Sequence, residues 1–248
     1  MPDLSVDAIG VALARHPNYL PLSAFAADVV PRARSVAESL GIPLPHLMVV
    51  APEDTAETGE PDVSALALAA LGPPEADQPL FFVRSGPLRD AKVAALARLV
   101  HEAGWAGEDV GITQLDELGG TIVFDLLDWA IDWAVPDGVG ATVLICDEPL
   151  FADARQGGEF FAAIALRVRR GPGPLRVLGC GEGAPGSAEF GADQRYVGSG
   201  PCDGWVALRA ALAAGEVADG DRVLLHTKGP LREGWLALHV VDTGGLRR

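Results

Sequence analysis

Ser199-Gly-Pro-Cys-Asp-Gly-Trp-Val-Ala-Leu-Arg-Ala-Ala-Leu-Ala-Ala-Gly215-Glu-Val-Ala-Asp-Gly220-Asp-Arg-Val-Leu-Leu-His226-Thr-Lys-Gly229, followed by Trp235-Leu-Ala-Leu-His-Val-Val-Asp242, packs three elements into little more than forty residues. Glycine and proline at 200 and 201 open the stretch, and apolar residues at helical spacing run to Gly215, a residue type suited to a helix C-cap. Two apolar strands then flank the turn residues around Gly229.

Upstream, strands and helices alternate. Asp7–Ala14 reads as a short apolar strand, Phe25–Leu40 as a helix stopped by Gly41, and Leu47–Ala51 as the next strand. Residues 52–61 form an acidic loop, and Asp62 is suited to cap a helix over 63–71. Pro79–Arg84 predicts a buried strand, Asp90–Ala103 a helix ended by Gly104, and 110–113 a return strand. A longer helix is expected over 118–134, then a strand over Ala141–Cys146 whose unbroken apolar run fits cover on both faces. Glu159–Arg169 and Leu175–Cys180, separated by Gly-Pro-Gly-Pro at 171–174, predict a hairpin. The alternation places the chain in the α/β class with a mainly parallel sheet. The Gly, Ala, Ser and Pro-rich stretch 181–200 marks a boundary, dividing the chain into 1–180 and 181–248.

At 248 residues the chain is long enough for a full core, and 49% hydrophobic residues argue against disorder. Nineteen Lys and Arg against 34 Asp and Glu leave a net charge of −15, which repels phosphate backbones and anionic membranes and excludes a nucleic-acid partner. With no basic leader and no apolar run of the roughly 20 residues a membrane helix needs, a cytoplasmic, soluble protein is expected. Cys146, Cys180 and Cys202 are odd in number and lack metal spacing, so neither a disulfide framework nor a zinc site is expected.

Few groups suggest chemistry. Asp125, Asp128 and Asp132 share one helix face, as a solvated surface or as weak ligands for a hard cation such as Mg²⁺, with Arg167, Arg169, Arg170 and Arg176 as alternative partners. Cys202 precedes Asp203 at an expected helix N-terminus, where backbone N–H groups favour a thiolate. His226 ends an apolar strand, and with Cys202 it would make a minimal nucleophile and base pair. Each of the two also has a purely structural reading, as a small turn residue and as a structural histidine. Glu182 reads as a turn residue, and Gly179-Cys-Gly-Glu-Gly183 lacks the lysine of a phosphate-binding loop. Hydrolase elbow, zinc-protease and dinucleotide fingerprints are absent, so no cofactor and no metal are assigned.

The closing segment 196–240, and the order of elements over 62–180, resemble the thiolase superfamily and in particular ketoacyl-ACP synthase III. The resemblance implies a layered α/β fold of two related halves, each with one helix buried between sheets, and here an abbreviated second half. It also implies a Cys nucleophile with a His/Asn pair. Aligning the glycines of Asp116-Glu-Leu-Gly-Gly-Thr-Ile122 puts Leu118 or a neighbour at the nucleophile, and Tyr196-Val-Gly-Ser-Gly200 holds no asparagine. The expected function is therefore a non-catalytic ketosynthase-like partner or scaffold in bacterial fatty-acid-like or polyketide biosynthesis. Its partner would be a ketosynthase or an acyl carrier protein, and it would form a homodimer or heterodimer. The alternative is an acyltransferase or acyl-modifying enzyme using relocated residues such as Cys202 and His226. A third reading, an unrelated doubly wound domain, requires the 118–134 helix to be peripheral.

Overall fold

A computed structural model describes residues 3–15, 19–25, 27–50, 62–73, 77–85, 95–134, 140–155, 160–186 and 191–246. The expected acidic loop at 52–61 and the first residues of the helix expected from Asp90 lie outside them. The apolar runs form β1 (Leu4–Arg15), β4 (Leu80–Ser85), β5 (Asp109–Ile112), β6 (Ala141–Asp147), β8 (Phe160–Arg170), β9 (Leu175–Glu182), β10 (Gln194–Gly198), β11 (Arg222–Lys228) and β12 (Glu233–Val240). These make one sheet in the order β10-β11-β12-β9-β1-β8-β6-β4-β5. A small second sheet joins β2 (Tyr19–Pro21), β3 (Leu47–Val50) and β7 (Phe151–Asp153). Helix α1 (Val30–Leu40) belongs to its cluster through Ala33 and Ala37.

The large sheet is mixed rather than mainly parallel. Among the described residues, only β4–β5, β4–β6 and β10–β11 are parallel pairs. Strand β12 runs against β11, as a connection as short as 229–232 requires, and β8 runs against both of its neighbours, β1 and β6. The expected hairpin at 171–174 does not form. β1 lies between β8 and β9 and is antiparallel to both. The Gly-Pro turn instead carries the chain past the start of β1: Gly171 N–H donates to Asp3 O at 2.9 Å, and Ser5 Oγ donates to Gly171 O at 2.6 Å. A Cβ on Gly173 would stand 2.6 Å from Ser5 Cβ, which is why glycine occupies the crossing.

Two similar strand sets meet at β1 and β9. Outward from the centre, one runs β1-β8-β6-β4-β5 and the other β9-β12-β11-β10, and each begins with an antiparallel pair. The first set has α2 (Val63–Leu71) and α3 (Ala95–Ala103) on one face, where Ala67, Leu68 and Leu99 share a core cluster with Leu80, Phe82 and Leu144. Asp62 caps α2 as expected, accepting from Ser64 N–H at 3.0 Å. Between β9 and β10 there are only residues 183–193, too few for a comparable helix, strand and helix.

The other face holds α4 (Val123–Ala134) and α5 (Asp203–Ala214), each followed at once by the matching strand, β6 or β11. The two helices bury the same pattern, Val123, Phe124, Leu127 and Ile131 in α4 and Gly204, Trp205, Leu208 and Leu212 in α5. The Phe124 and Trp205 rings stack with centroids 5.8 Å apart. Helix α4 is thus central, which excludes the peripheral arrangement of a doubly wound domain. Its regular part starts later than the sequence suggests, after a 3-10 turn at Asp116–Gly120 that lets the backbone lie against Pro201. The short α6 (Thr243–Leu246) closes the described chain.

A Cβ on Gly120 would stand 1.9 Å from Pro201 O, a backbone atom that cannot swing away. Gly120→Ala is expected to cost about 2–4 kcal/mol in chemical denaturation, mostly from displaced backbone. Gly41→Ala, where the only obstacle is φ of +66°, is expected to cost about 1 kcal/mol. Equal losses in the two variants would refute the close contact at Gly120.

Candidate functional site

Parallel strands expose their C-terminal ends as the usual place for chemistry in an α/β sheet. Here β4 and β6 end at Ser85 and Asp147, beside the 3-10 turn leading into α4 and the 199–202 turn leading into α5. The 229–232 loop between β11 and β12 comes to the same turn.

The turn before α4 is built under tension. Gln114 and Asp116 have φ of +68° and +46°, a region that favours glycine. Asp116 O accepts from Ser85 Oγ at 2.7 Å, and Gln114 O accepts from Arg232 Nη1 at 3.3 Å. Glu117 holds the opposing loop, accepting from Leu231 N–H at 3.2 Å, while a Cβ on Gly229 would meet Glu117 Cγ at 2.2 Å. Leu118, at or beside which the resemblance places the nucleophile, is fully buried. A Cβ on Gly234 would lie 2.6 Å from Leu118 Cδ2, so no substrate atom reaches this position from the β12 side.

On the α5 side, Asp203 Oδ2 accepts from Ser199 N–H at 2.8 Å and Gly200 N–H at 2.9 Å. The turn expected to carry an asparagine is therefore held by a carboxylate that consumes its two N–H groups. Asp147 Oδ2 would stand 2.3 Å from a Cβ on Gly200. Arg84 Nη2 donates to Glu148 Oε2 at 2.8 Å, with both side chains largely buried. Carboxylates thus crowd this end of the sheet. Burial first, then the Asp203, Glu148 and Glu117 charges, push Asp147 from 3.8 up to about 7.

Cys202 and His226 are not brought together. Cys202 is completely buried, with Sγ 3.5 Å from Ile145 O and 3.7 Å from Ala162 O, where the thiol can only donate. Burial and the Asp147 charge push it well above 9.0, which outweighs the helix-terminus effect expected from the sequence. Side chains alternate along β11, and Val223 and Leu225 share the core cluster with Cys202, so His226 projects from the opposite face. There His226 Nε2 lies 2.8 Å from Glu233 Oε1.

Cys146 is buried against Ser64 Oγ at 3.0 Å, and burial raises it as well. Burial, followed by the Asp125 charge, pushes Cys180 up to about 11.

The aspartates of α4 divide. Asp128 Oδ1 accepts from Arg170 Nη1 at 3.1 Å, and Arg170 Nη2 also donates to Asp128 O. Asp125 is exposed, and the Asp132 side chain lies outside the described residues. Of the other arginines, Arg169 bridges to Asp7 at 2.7 Å and Arg176 reaches Asp3 at 4.0 Å. Glu182 ends β9 and pairs with Arg232 at 3.1 Å. Among the described residues no group of three or more His, Cys, Asp or Glu is disposed to hold a metal ion.

Sequence reasoning passed over Asp147, Glu148 and Glu117. The available signal was Asp147-Glu148-Pro149, two acids directly after a fully apolar strand. Between its ordinary and its raised pKa, a half-buried acid such as Asp147 keeps its proton in the folded state while the unfolded chain has lost it. Stability therefore falls as pH rises from about 4 to about 7, and the whole cost stands above that window. Asp147→Asn is expected to leave stability unchanged near pH 4 and to raise it by on the order of 2 kcal/mol at pH 8. A variant no more stable than the parent at pH 8 would mean the carboxylate is compensated.

No protein-family model and no curated protein matches the sequence. Solved structures do match over nearly the whole chain. ChlB3, described as an acyltransferase, is 17% identical with a TM-score of 0.65, covering 98% of this chain and 99% of that one. Xanthomonas campestris OleA, solved with lauric acid and lauroyl-CoA, is 12% identical with a TM-score of 0.58, covering 95% and 98%. The 3-oxoacyl-(acyl carrier protein) synthase III FabH of Pseudomonas aeruginosa is 13% identical with a TM-score of 0.57, covering 97% and 99%. At such identities the likeness is one of architecture, and the architecture of this chain is the thiolase fold.

Proposed function

We propose that this protein is a non-catalytic, ketosynthase-like partner or scaffold in bacterial fatty-acid-like or polyketide biosynthesis, working in the cytoplasm. The observation that carries the reading is Leu118, an apolar and fully buried side chain in the turn before α4, at or beside which the resemblance places a condensing enzyme's thiol. Supporting it, both completely buried cysteines are held protonated, and Asp203 occupies the N–H groups of the 199–200 turn. The segment 181–248 is read as an abbreviated second half packed on the core of 1–180.

The partner is a ketosynthase, as a heterodimer, rather than an acyl carrier protein, because carrier proteins are acidic and this chain has a net charge of −15. A homodimer must overcome the same self-repulsion. The rival reading, acyl transfer by Cys202 and His226, needs both groups on one face, and they project from opposite faces of the sheet.

Incubation with a mass-tagged acyl-CoA and with an acylated carrier protein, followed by intact-mass measurement, is expected to show no covalent acyl group. Stoichiometric acylation at any residue would overturn the non-catalytic reading and restore the acyltransferase one.

A further inference from the structure

Helices α4 and α5 occupy matching places in the two strand sets and bury matching residues, so their remaining positions can be compared directly. Two positions beyond Phe124 and Trp205, α4 has Leu126 and α5 has Ala207; three further on, α4 has Trp129 and α5 has Ala210. At these two positions α5 carries only alanine, half-buried at 207 and exposed at 210. On α4 they carry an indole that is 72% exposed and a leucine that is 39% exposed. Exposing a tryptophan gains nothing for folding, and tryptophan is one of the residue types enriched among the energetic anchors of protein interfaces.

Charge narrows the occupant. Asp125 stands one helical turn before Trp129, on the same face, and is exposed. Asp128, the next carboxylate, is already neutralised by Arg170. The strip therefore offers one carboxylate, one open indole face and one leucine in a row. A guanidinium fits this combination, pairing with the carboxylate while stacking on the indole. The net charge of −15 disfavours a second copy of the same chain as the source.

We propose that the Asp125, Leu126 and Trp129 strip of α4 is a docking site for an arginine-bearing apolar segment of a different protein. The guanidinium lies over Trp129 and against Asp125, and an apolar side chain of that segment covers Leu126. This deepens the partner reading and rests on it, but the test reads the Trp129 indole rather than acylation, so the two can fail separately.

The full chain labelled with ¹⁵N at its indoles is titrated with an amidated helical peptide carrying Leu and Arg on one face, and with the same peptide bearing Glu for Arg. The Trp129 resonance is assigned by its loss in Trp129→Phe. The Arg peptide is expected to shift that resonance saturably and the Glu peptide to leave it unmoved. Asp125→Asn and Asp125→Lys, both checked for an unchanged melting point, are expected to weaken binding by on the order of tenfold. The proposal is overturned if neither peptide shifts Trp129, if both shift it alike, or if neither Asp125 variant weakens binding. It is equally overturned if the resonance moves with protein concentration alone, which would identify a second copy as the occupant.

Discussion

The contact between the start of α4 and the start of α5 organises this molecule. Gly120 lies against the backbone of Pro201, Trp205 Nε1 donates to Gly120 O at 2.8 Å, and the Phe124 and Trp205 rings stack beside them. One polar tie inside an apolar cluster fixes both the rotation and the depth of each helix, because an unpaired indole N–H or carbonyl there would carry a full desolvation cost. The two strand sets then close around the helix pair. Their own seam, β1 to β9, is only two residue pairs long, Ser5 with Arg176 and Val6 with Leu175. The shared helices, far more than sheet hydrogen bonds, hold the halves as one body.

The same contact shapes the chemistry at the strand ends. Bringing two helix starts this close leaves room only for glycine at 120, and the surrounding loops are pinned by carboxylates. Glu117 holds the 229–231 backbone and Asp203 holds 199–200. These carboxylates use N–H donors that could otherwise have faced a ligand. Asp147, enclosed among them, is the place where the crowding costs stability.

Much of the architecture was legible in the residues. The Asp62 cap, the extent of α2, the unbroken apolar run of β6 and the sequence from α5 to β12 all follow from local rules that tertiary packing did not override. Partner choice within the sheet was not legible. Two apolar strands around Gly-Pro-Gly-Pro look like a hairpin, and nothing local reveals that β1, about 165 residues away in sequence, inserts between them. The site was less legible still. Cys202 has the residue type and helix position of a reactive thiol, but its reactivity is set by burial against distant strands and by the Asp147 charge at the end of β6. The face on which His226 lies depends on which β11 residues pack against α5, a matter of strand register.

Strand β1 also constrains how the chain can acquire its structure. Its partners are residues 160–170 and 175–176, so this apolar strand has no edge to join until residues about 150 positions further along the chain have been made. The helix that completes the core, α5, comes later still. The edges of β1 therefore stay unpaired until those distant residues arrive, a high-contact-order arrangement of the kind that slows folding and leaves strand edges open to aggregation.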